Sequence, residues 1–394
     1  MTKIEWVVKV ADAIGGKAES WNPIRAKHKK TGKVGWFCIH ASEGCRNCYA
    51  ERWNGWRGNG VKFRAQDIDN VDIYLDEDVL LRPLTWRKRR AVFACDMTDM
   101  FGWWVTDEML DKIFAVIALT PHCIWMVLTK QSERMREYFT GDVERRSAKA
   151  SIEFIDLSSG AGRWEKHIQA MAIEGWSTWP RPNVWLGVSA ENQEQAEARI
   201  PALLQTPAAV RFVSAEPLVG AVDLLKWMRP YVSDAIGLLQ PVPRLDWVIA
   251  GGESGSKARA MHPDWPRGLR DDCGRAGVAF FFKQWGEYAP GTVSSDGEIV
   301  RFAFDENRHE GLLPGGKFPE ENSDKENEEF FSRLEDFVAD TALDCPAEPA
   351  AYRVGRKAAG RLLDGRRHEQ IPACAKASAG GPAISHAHDE GGVS

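Results

Sequence analysis

From residue 91 onward the chain repeats one pattern that few folds accept. Apolar runs of strand length occur at Ala91–Cys95, Cys123–Leu128, Val184–Val188, Val210–Val213, Trp247–Ala250 and Ala279–Phe282. Amphipathic segments of helix length separate several of them: Asp107–Leu119, Gln131–Phe139, Asn192–Leu204 and Trp265–Gly277. Strands buried on both faces read as continuous apolar runs, and strands alternating with helices pair in parallel. The pattern predicts an α/β fold with parallel strands: a partial or irregular (β/α) barrel of TIM type, with a doubly wound sheet as the other arrangement it allows. Asp107 and Asp264 stand where helix caps belong. Residues 140–180 are longer than a simple crossover and predict an insertion.

The residues after each strand are more telling than the strands. Cys95 runs into Asp96, Thr98 and Asp99; Leu128 into Thr129 and Lys130; Val188 into Ser189 and Glu191; Val213 into Ser214 and Glu216. Ala250 is followed by Gly251, Gly252 and Glu253, and Phe282 by Lys283. Any strand must leave into polar loop, which accounts for part of this. It does not account for acids and lysines recurring at the strand ends, where a parallel barrel builds its active site. Ser189 and Glu191 are candidate ribose or carboxylate contacts, and Asp96, Thr98 and Asp99 candidate cofactor contacts. Glu216 and Lys283 are candidates to face substrate, an ion pair being the plain alternative for the lysine.

Upstream lies a second constraint. Cys38, Cys45 and Cys48 fall within eleven residues, with a Gly before the second and Tyr49 after the third. The stretch from Gly35 to Ile39 reads as a short buried strand, the first of the barrel, delivering Cys38 at its end. Three thiolates this close can reach one metal centre. Zinc takes four ligands, and Cys45 with Cys48 is a zinc half-site that Cys38 and His40 would have to complete. An iron–sulfur cluster on three cysteines leaves one iron open. Unligated thiols are the third reading.

The other cysteines among the eight are scattered singly, which is the usage of a reducing compartment. No apolar stretch is long enough to cross a membrane, and the N-terminus lacks a convincing cleavage site. A cytoplasmic protein without a membrane partner is expected. The net charge of −5 excludes a global basic field for nucleic acid. Two local basic runs, Trp86 to Arg90 and Arg353 to Arg367, are candidate phosphate contacts or solvated faces. Tryptophan is abundant at 17 residues, many beside Pro or Gly, so some are expected to anchor loops.

The domain reading follows: a barrel over 1–289 with the cysteine loop at 38–48, then an acidic, partly disordered segment over 290–350. A basic helix against the barrel over 351–371 and a disordered tail over 372–394 complete it.

Several stretches together resemble a known family. Trp21-Asn-Pro, Gly44-Cys-Arg-Asn-Cys-Tyr-Ala-Glu51, Met97-Thr-Asp99, Val127-Leu-Thr-Lys130 and Trp185-Leu-Gly-Val-Ser189 are similar to motifs of the phage and prophage three-Cys-motif proteins. So are Arg211-Phe-Val-Ser-Ala-Glu-Pro217, Gly251-Gly-Glu-Ser-Gly255 and Phe281-Phe-Lys-Gln-Trp-Gly286. That family is regarded as radical-SAM-like. The resemblance implies a 4Fe–4S cluster on Cys38, Cys45 and Cys48, with the open iron binding S-adenosyl-L-methionine and an electron donor serving the cluster. It adds Tyr49, Gly251, Gly252 and Glu253 to the cofactor contacts, since a Gly-Gly-Glu holds the methionyl amino group in many radical SAM enzymes. In those it follows strand two, and here it follows about the sixth; the gap between the first two cysteines is also six residues, where three is usual. The resemblance names no substrate; a nucleotide or nucleic-acid base is the one expected. A zinc-stabilised nucleic-acid-binding protein without catalysis is the reading from another class.

Overall fold

The computed structural model describes residues 2–143, 145–150, 179–233, 238–293, 299–305, 308–313, 349–353 and 355–377. Its centre is one sheet of seven parallel strands: β1 (Lys17–Trp21), β2 (Arg90–Ala94), β3 (Cys123–Thr129), β4 (Val184–Ser189), β5 (Val210–Ala215), β6 (Trp247–Gly251) and β7 (Ala279–Gln284). Their order in space is their order in sequence, and β1 does not pair with β7. A doubly wound sheet would reverse order at a switch point. This sheet instead curls one way into an open half-barrel.

Period-two alternation divides the strand side chains between two cores. On the outer face Val92, Trp125, Leu186, Val213, Val248 and Phe280 pack with α3 (Asp107–Ala118), whose Leu110, Ile113, Phe114 and Ile117 are buried, and with α5 (Gln193–Gln205). On the inner face Phe93, Met126, Trp185, Phe212, Trp247 and Phe281 meet Trp6, Val7 and Val10 of α1 (Glu5–Ala13). Trp6 lies edge-on to Phe93 and to Trp247, with centroids at 4.8 and 5.9 Å. An N-terminal helix thus fills the hollow of the half-barrel with aromatic contacts.

The helix boundaries expected from the pattern hold to within about two residues, including α4 (Ser132–Thr140) and α6 (Asp264–Ala276). The caps differ. Thr106, not Asp107, caps α3, its hydroxyl accepting from the Met109 amide, and Pro263 precedes α6.

The first strand is a correction. Residues 36–42 form no strand, and Val34–Gly35 belongs to a separate antiparallel sheet with Ile24–His28 and Val71–Leu75. Gly35 ends that strand because a Cβ there would stand 2.3 Å from Asn54 Oδ1 and 2.4 Å from the Asn59 amide. The true first strand, Lys17–Trp21, is polar because it lies at the sheet's edge. Cys38 therefore enters from a unit inserted between β1 and β2.

The basic segment expected as one helix contains helix only at Arg356–Ala359. Before it, Pro349–Arg353 pairs with Tyr288–Val293 in a four-stranded antiparallel sheet. After it, the chain runs back along β7, where Phe282 N donates to the His368 carbonyl and Gln370 N to that of Phe280. Most of the acidic segment, most of the insertion and the tail beyond 377 lie outside the described residues. Among the described residues no helix is long and apolar enough to cross a membrane.

Candidate functional site

The C-terminal ends of the strands surround a cavity of about 570 Å³. Cys38, Cys45, Cys48 and Tyr49 line it from the inserted unit. Asp96, Thr98, Asp99, Ser189, Glu216, Gly252, Glu253 and Lys283 line it from the strand ends. Of the candidate cluster ligands, cofactor contacts and substrate-facing residues, all line it except Glu191 and Gly251, which stand just outside the wall.

The cysteine loop has almost no secondary structure of its own, only a single 3-10 turn at Glu43–Cys45. It is held instead by strand ends. After β4, Glu191 is fully buried; its carboxylate accepts from the Ser42 hydroxyl and, at 3.1 Å, from the Gly44 amide. Arg199 of α5 donates to the other oxygen of Glu191 at 2.9 Å and to the Ser189 carbonyl at 2.9 Å. After β6, Glu253 accepts from Asn47 at 2.9 Å and forms a two-pronged pair with Arg259 at 2.9 and 2.8 Å. Arg259 also reaches Glu43 at 3.0 Å. After β2, the Thr98 hydroxyl donates to the Phe37 carbonyl and the Tyr49 hydroxyl to that of Asp96. Three strand ends thus clamp one loop across the mouth of the sheet.

These contacts set the charges. Burial pushes the Glu191 carboxyl up, but Arg199, the Ser42 hydroxyl and Lys130 outweigh it and hold the group below the usual range. Glu253 is likewise raised by burial and brought below the usual range by Arg259 and Asn47. Asp96 goes the other way: burial raises it beyond what hydrogen bonds from Asn22 and Ser20 recover. Asp99 accepts from Thr129 at 2.6 Å and from the Lys130 amide at 2.8 Å, bracing β2 against β3. Cys95, just before this segment, adopts φ +58, an uncommon conformation for a residue with a side chain, and its amide is tied to the Trp21 carbonyl at 2.8 Å. Gly252 answers a packing demand: a Cβ there would stand 1.9 Å from the Trp285 carbonyl oxygen.

Of the three lysines that line the cavity, the two at strand ends keep different company. Lys283 pairs with Glu216 at 2.5 Å. Lys130 donates to Ser189 Oγ at 3.0 Å and has no carboxylate within ion-pair distance among the described residues. Sequence reasoning quoted Lys130 but did not single it out. It missed Asn47, Arg199 and Arg259 altogether, because their roles arise only when distant segments meet.

Burial pushes the Cys38 and Cys48 thiols up; Cys38 is raised further by Asp99, Cys48 and Cys45, and Cys48 by Cys45. Desolvated thiols that repel one another are suited to a cationic group. Three cysteines are the kind of donor an iron–sulfur cluster takes, but among the described residues no group of three or more Cys, His, Asp or Glu is placed to hold a metal ion. His40, the candidate fourth zinc ligand, does not line the cavity and stands 3.3 Å from Glu51.

Several of the expected phosphate contacts are paired elsewhere. Arg90 meets Glu19 at 2.5 Å and lies over Trp86 at 4.5 Å. Arg361 meets Glu369 at 3.1 Å, and Arg356 lies 3.7 Å from Glu5.

A search of curated proteins finds no match. Among solved structures, a point mutant of spore photoproduct lyase is similar at 8% identity, over 86% of this chain and 83% of that one, with a TM-score of 0.27. A family model matches residues 3–372. The chain therefore belongs to the family described as protein of unknown function DUF5131.

Proposed function

We propose that the protein is a radical-SAM-like iron–sulfur enzyme acting on a nucleotide or nucleic-acid base. The observation that carries the reading is the clamped loop. Three thiols from one irregular segment are held over the strand ends and line the same cavity as Lys130, Ser189 and the Glu216–Lys283 pair. Similarity to motifs of phage and prophage three-Cys-motif proteins supports it.

On this reading Cys38, Cys45 and Cys48 hold a 4Fe–4S cluster whose fourth iron takes S-adenosyl-L-methionine. When bound, the pair supplies one-electron reductive cleavage of the cofactor's sulfonium bond, fed by an external electron donor. Lys130 gives a carboxylate or phosphate a cation that makes no direct ion pair among the described residues, and Ser189 offers a hydroxyl beside it. Tyr49, Asp96, Thr98, Asp99, Gly252 and Glu253 supply polar and backbone groups at the wall; Glu191 and Gly251 act behind it. Lys283 and Glu216 face the substrate as a neutral-sum pair able to hold or pass a proton. The position of His40 beside Glu51, away from the cavity, weakens the zinc reading by removing its fourth ligand.

Anaerobic reconstitution with iron and sulfide tests this. The expected result is a cluster signal in electron paramagnetic resonance, lost in Cys45→Ala, and 5′-deoxyadenosine on reduction with S-adenosyl-L-methionine present. Stoichiometric zinc, no cluster signal and no 5′-deoxyadenosine would sink the proposal and leave a zinc-stabilised nucleic-acid-binding protein.

A further inference from the structure

The helix that follows the cysteines, α2 (Tyr49–Arg57), turns its large aromatic side chains outward. Its inward face is short and mostly polar in character: Ala50 and Asn54, four residues apart, are 4% and 0% exposed. Asn54 is held there by hydrogen bonds to Asn59 and to the Val61 carbonyl. The opposite stripe is Tyr49, Arg52, Trp53, Trp56 and Arg57, at the i, i+3, i+4, i+7, i+8 spacing of a single helix face. A stripe of that spacing rich in aromatics ordinarily turns into a core. Here it faces outward, with Tyr49 51%, Trp53 47% and Trp56 69% exposed, while Trp21, Trp125, Trp185 and Trp247 of the same chain are fully buried.

The rings are arranged and charged. Trp53 and Trp56 stand edge to face, 5.5 Å apart. The Arg57 guanidinium lies 4.3 Å over Trp56, and neither Arg57 nor Arg52 has a carboxylate within ion-pair distance among the described residues. Tyr49, Arg52, Trp53 and Trp56 line a groove of about 510 Å³ with Met97. Tyr49, Arg52 and Met97 line the large cavity as well, so the groove opens into it.

The geometry points to a docking track for single-stranded nucleic acid, with bases stacking on Trp53 and Trp56, Arg52 and Arg57 meeting the phosphates, and the strand leading past Tyr49 into the cavity. Exposed aromatic faces beside unpaired guanidiniums are what such strands require, because every base offers a π-face and every linkage a negative charge. A duplex hides its base faces and has no use for the tryptophans. A protein partner seated on the stripe would have to bring two carboxylates to the guanidiniums, whereas a nucleic-acid strand carries a phosphate at every linkage. The net charge of −5 makes this local complement the more specific. The inference deepens the proposed function and rests on it only for what happens to a base inside the cavity.

The test is fluorescence anisotropy of an end-labelled thymidine oligomer of roughly 15 nucleotides, enough to span one stacking site. It is run on the full chain without reductant or S-adenosyl-L-methionine, so its outcome is separate from cluster chemistry. Wild-type protein is expected to bind saturably. Trp53→Ala and Trp56→Ala should each weaken binding about tenfold. Trp56→Phe should keep most of it, and Arg57→Gln should lower the salt slope by about one. Equal thermal midpoints would show that the variants fold. The proposal is overturned if wild type does not bind, if the alanine variants bind as wild type does, or if a duplex competes equally well. It is also overturned if sedimentation shows a wild-type dimer that Trp56→Ala dissolves without any oligonucleotide affinity, since the stripe would then belong to a second copy.

Discussion

Arg199→Met is the sharpest probe of how the site is built. The substitution keeps length and apolar stem but removes the guanidinium that faces Glu191. Both side chains are inaccessible, at 5% and 0% exposure, and 2.9 Å apart. Taking one partner from a buried ion pair leaves the other charge without compensation, at a cost of about 3–5 kcal/mol. For a unit of this size each kcal/mol lowers the thermal midpoint by roughly 2 °C, so a fall of about 6–10 °C is expected. The loss should be local in origin, because Glu191 accepts from Ser42 and Gly44. Hydrogen exchange should therefore accelerate at the amides of residues 42–48 before it accelerates in the strands. The pH dependence has a definite sign. Glu191 is held below the usual glutamate range in the fold, so its contribution is present above the unfolded value of about 4.3 and disappears as pH falls through the lowered folded value. The gap between wild type and variant should be full at neutral pH and shrink below about pH 4. A midpoint shift under about 2 °C, equivalent to ~1 kcal/mol, or unchanged exchange at 42–48, would refute the clamp.

Lys130→Met should weaken S-adenosyl-L-methionine binding by at least about tenfold, or ~1.4 kcal/mol, in calorimetric titration of reconstituted protein. Unchanged affinity would remove Lys130 as the anion contact. Asp364→Asn probes the C-terminal strap, where Arg267 and Arg270 donate to Asp364 at 2.8 and 2.5 Å. Asp364 sits at φ +50, which Asn tolerates, so the change isolates charge. Burial raises the Asp364 carboxyl, but Arg267 and Arg270 outweigh it and hold it below the usual range. Its stabilisation is thus present above about pH 4 and lost as pH falls further; with the side chain 37% exposed, about 1 kcal/mol at most is at stake. Limited proteolysis of residues 355–371 should be faster in the variant at neutral pH, with the difference closing in acid.

The inner strands were legible because burial on both faces writes them as unbroken apolar runs. Lys17–Trp21 was not, since an edge strand follows no such rule, and the apolar Trp36-Phe37 took its place in the reading. That error put Cys38 on a barrel strand when it comes from an inserted unit. The cavity wall was legible for a different reason. In a parallel sheet every strand end faces the same side, so the residue after each run is placed without knowing any distance. The partners of those residues were hidden. Nothing local marks Arg199, eight residues beyond Glu191, or Asn47, 206 residues before Glu253, as its counterpart. The stripe on α2 was hidden in another way: its spacing is that of a buried face, and only the structure shows it turned outward.

The acids at the strand ends change meaning once their contacts are known. Read alone, Glu191 and Glu253 suggest direct ligands to a cofactor. Each is instead occupied by an arginine and by the cysteine loop, with backbone and side-chain donors from Ser42, Gly44 and Asn47 as partners. Ordering an irregular segment costs about 1–2 kcal/mol per residue in backbone entropy, and a loop with one 3-10 turn recovers little of that internally. Charge-assisted hydrogen bonds from buried carboxylates are among the strongest means of recovering it. The same pairing sets both acids against their arginines, while Lys130 and Arg52 line the cavity without a carboxylate in ion-pair distance among the described residues. Holding the thiols in place and keeping the cavity receptive to anions are thus two consequences of one arrangement. It follows that a change at Arg199 or Arg259 would disturb the site as deeply as a change at a cysteine, though neither arginine lines the cavity.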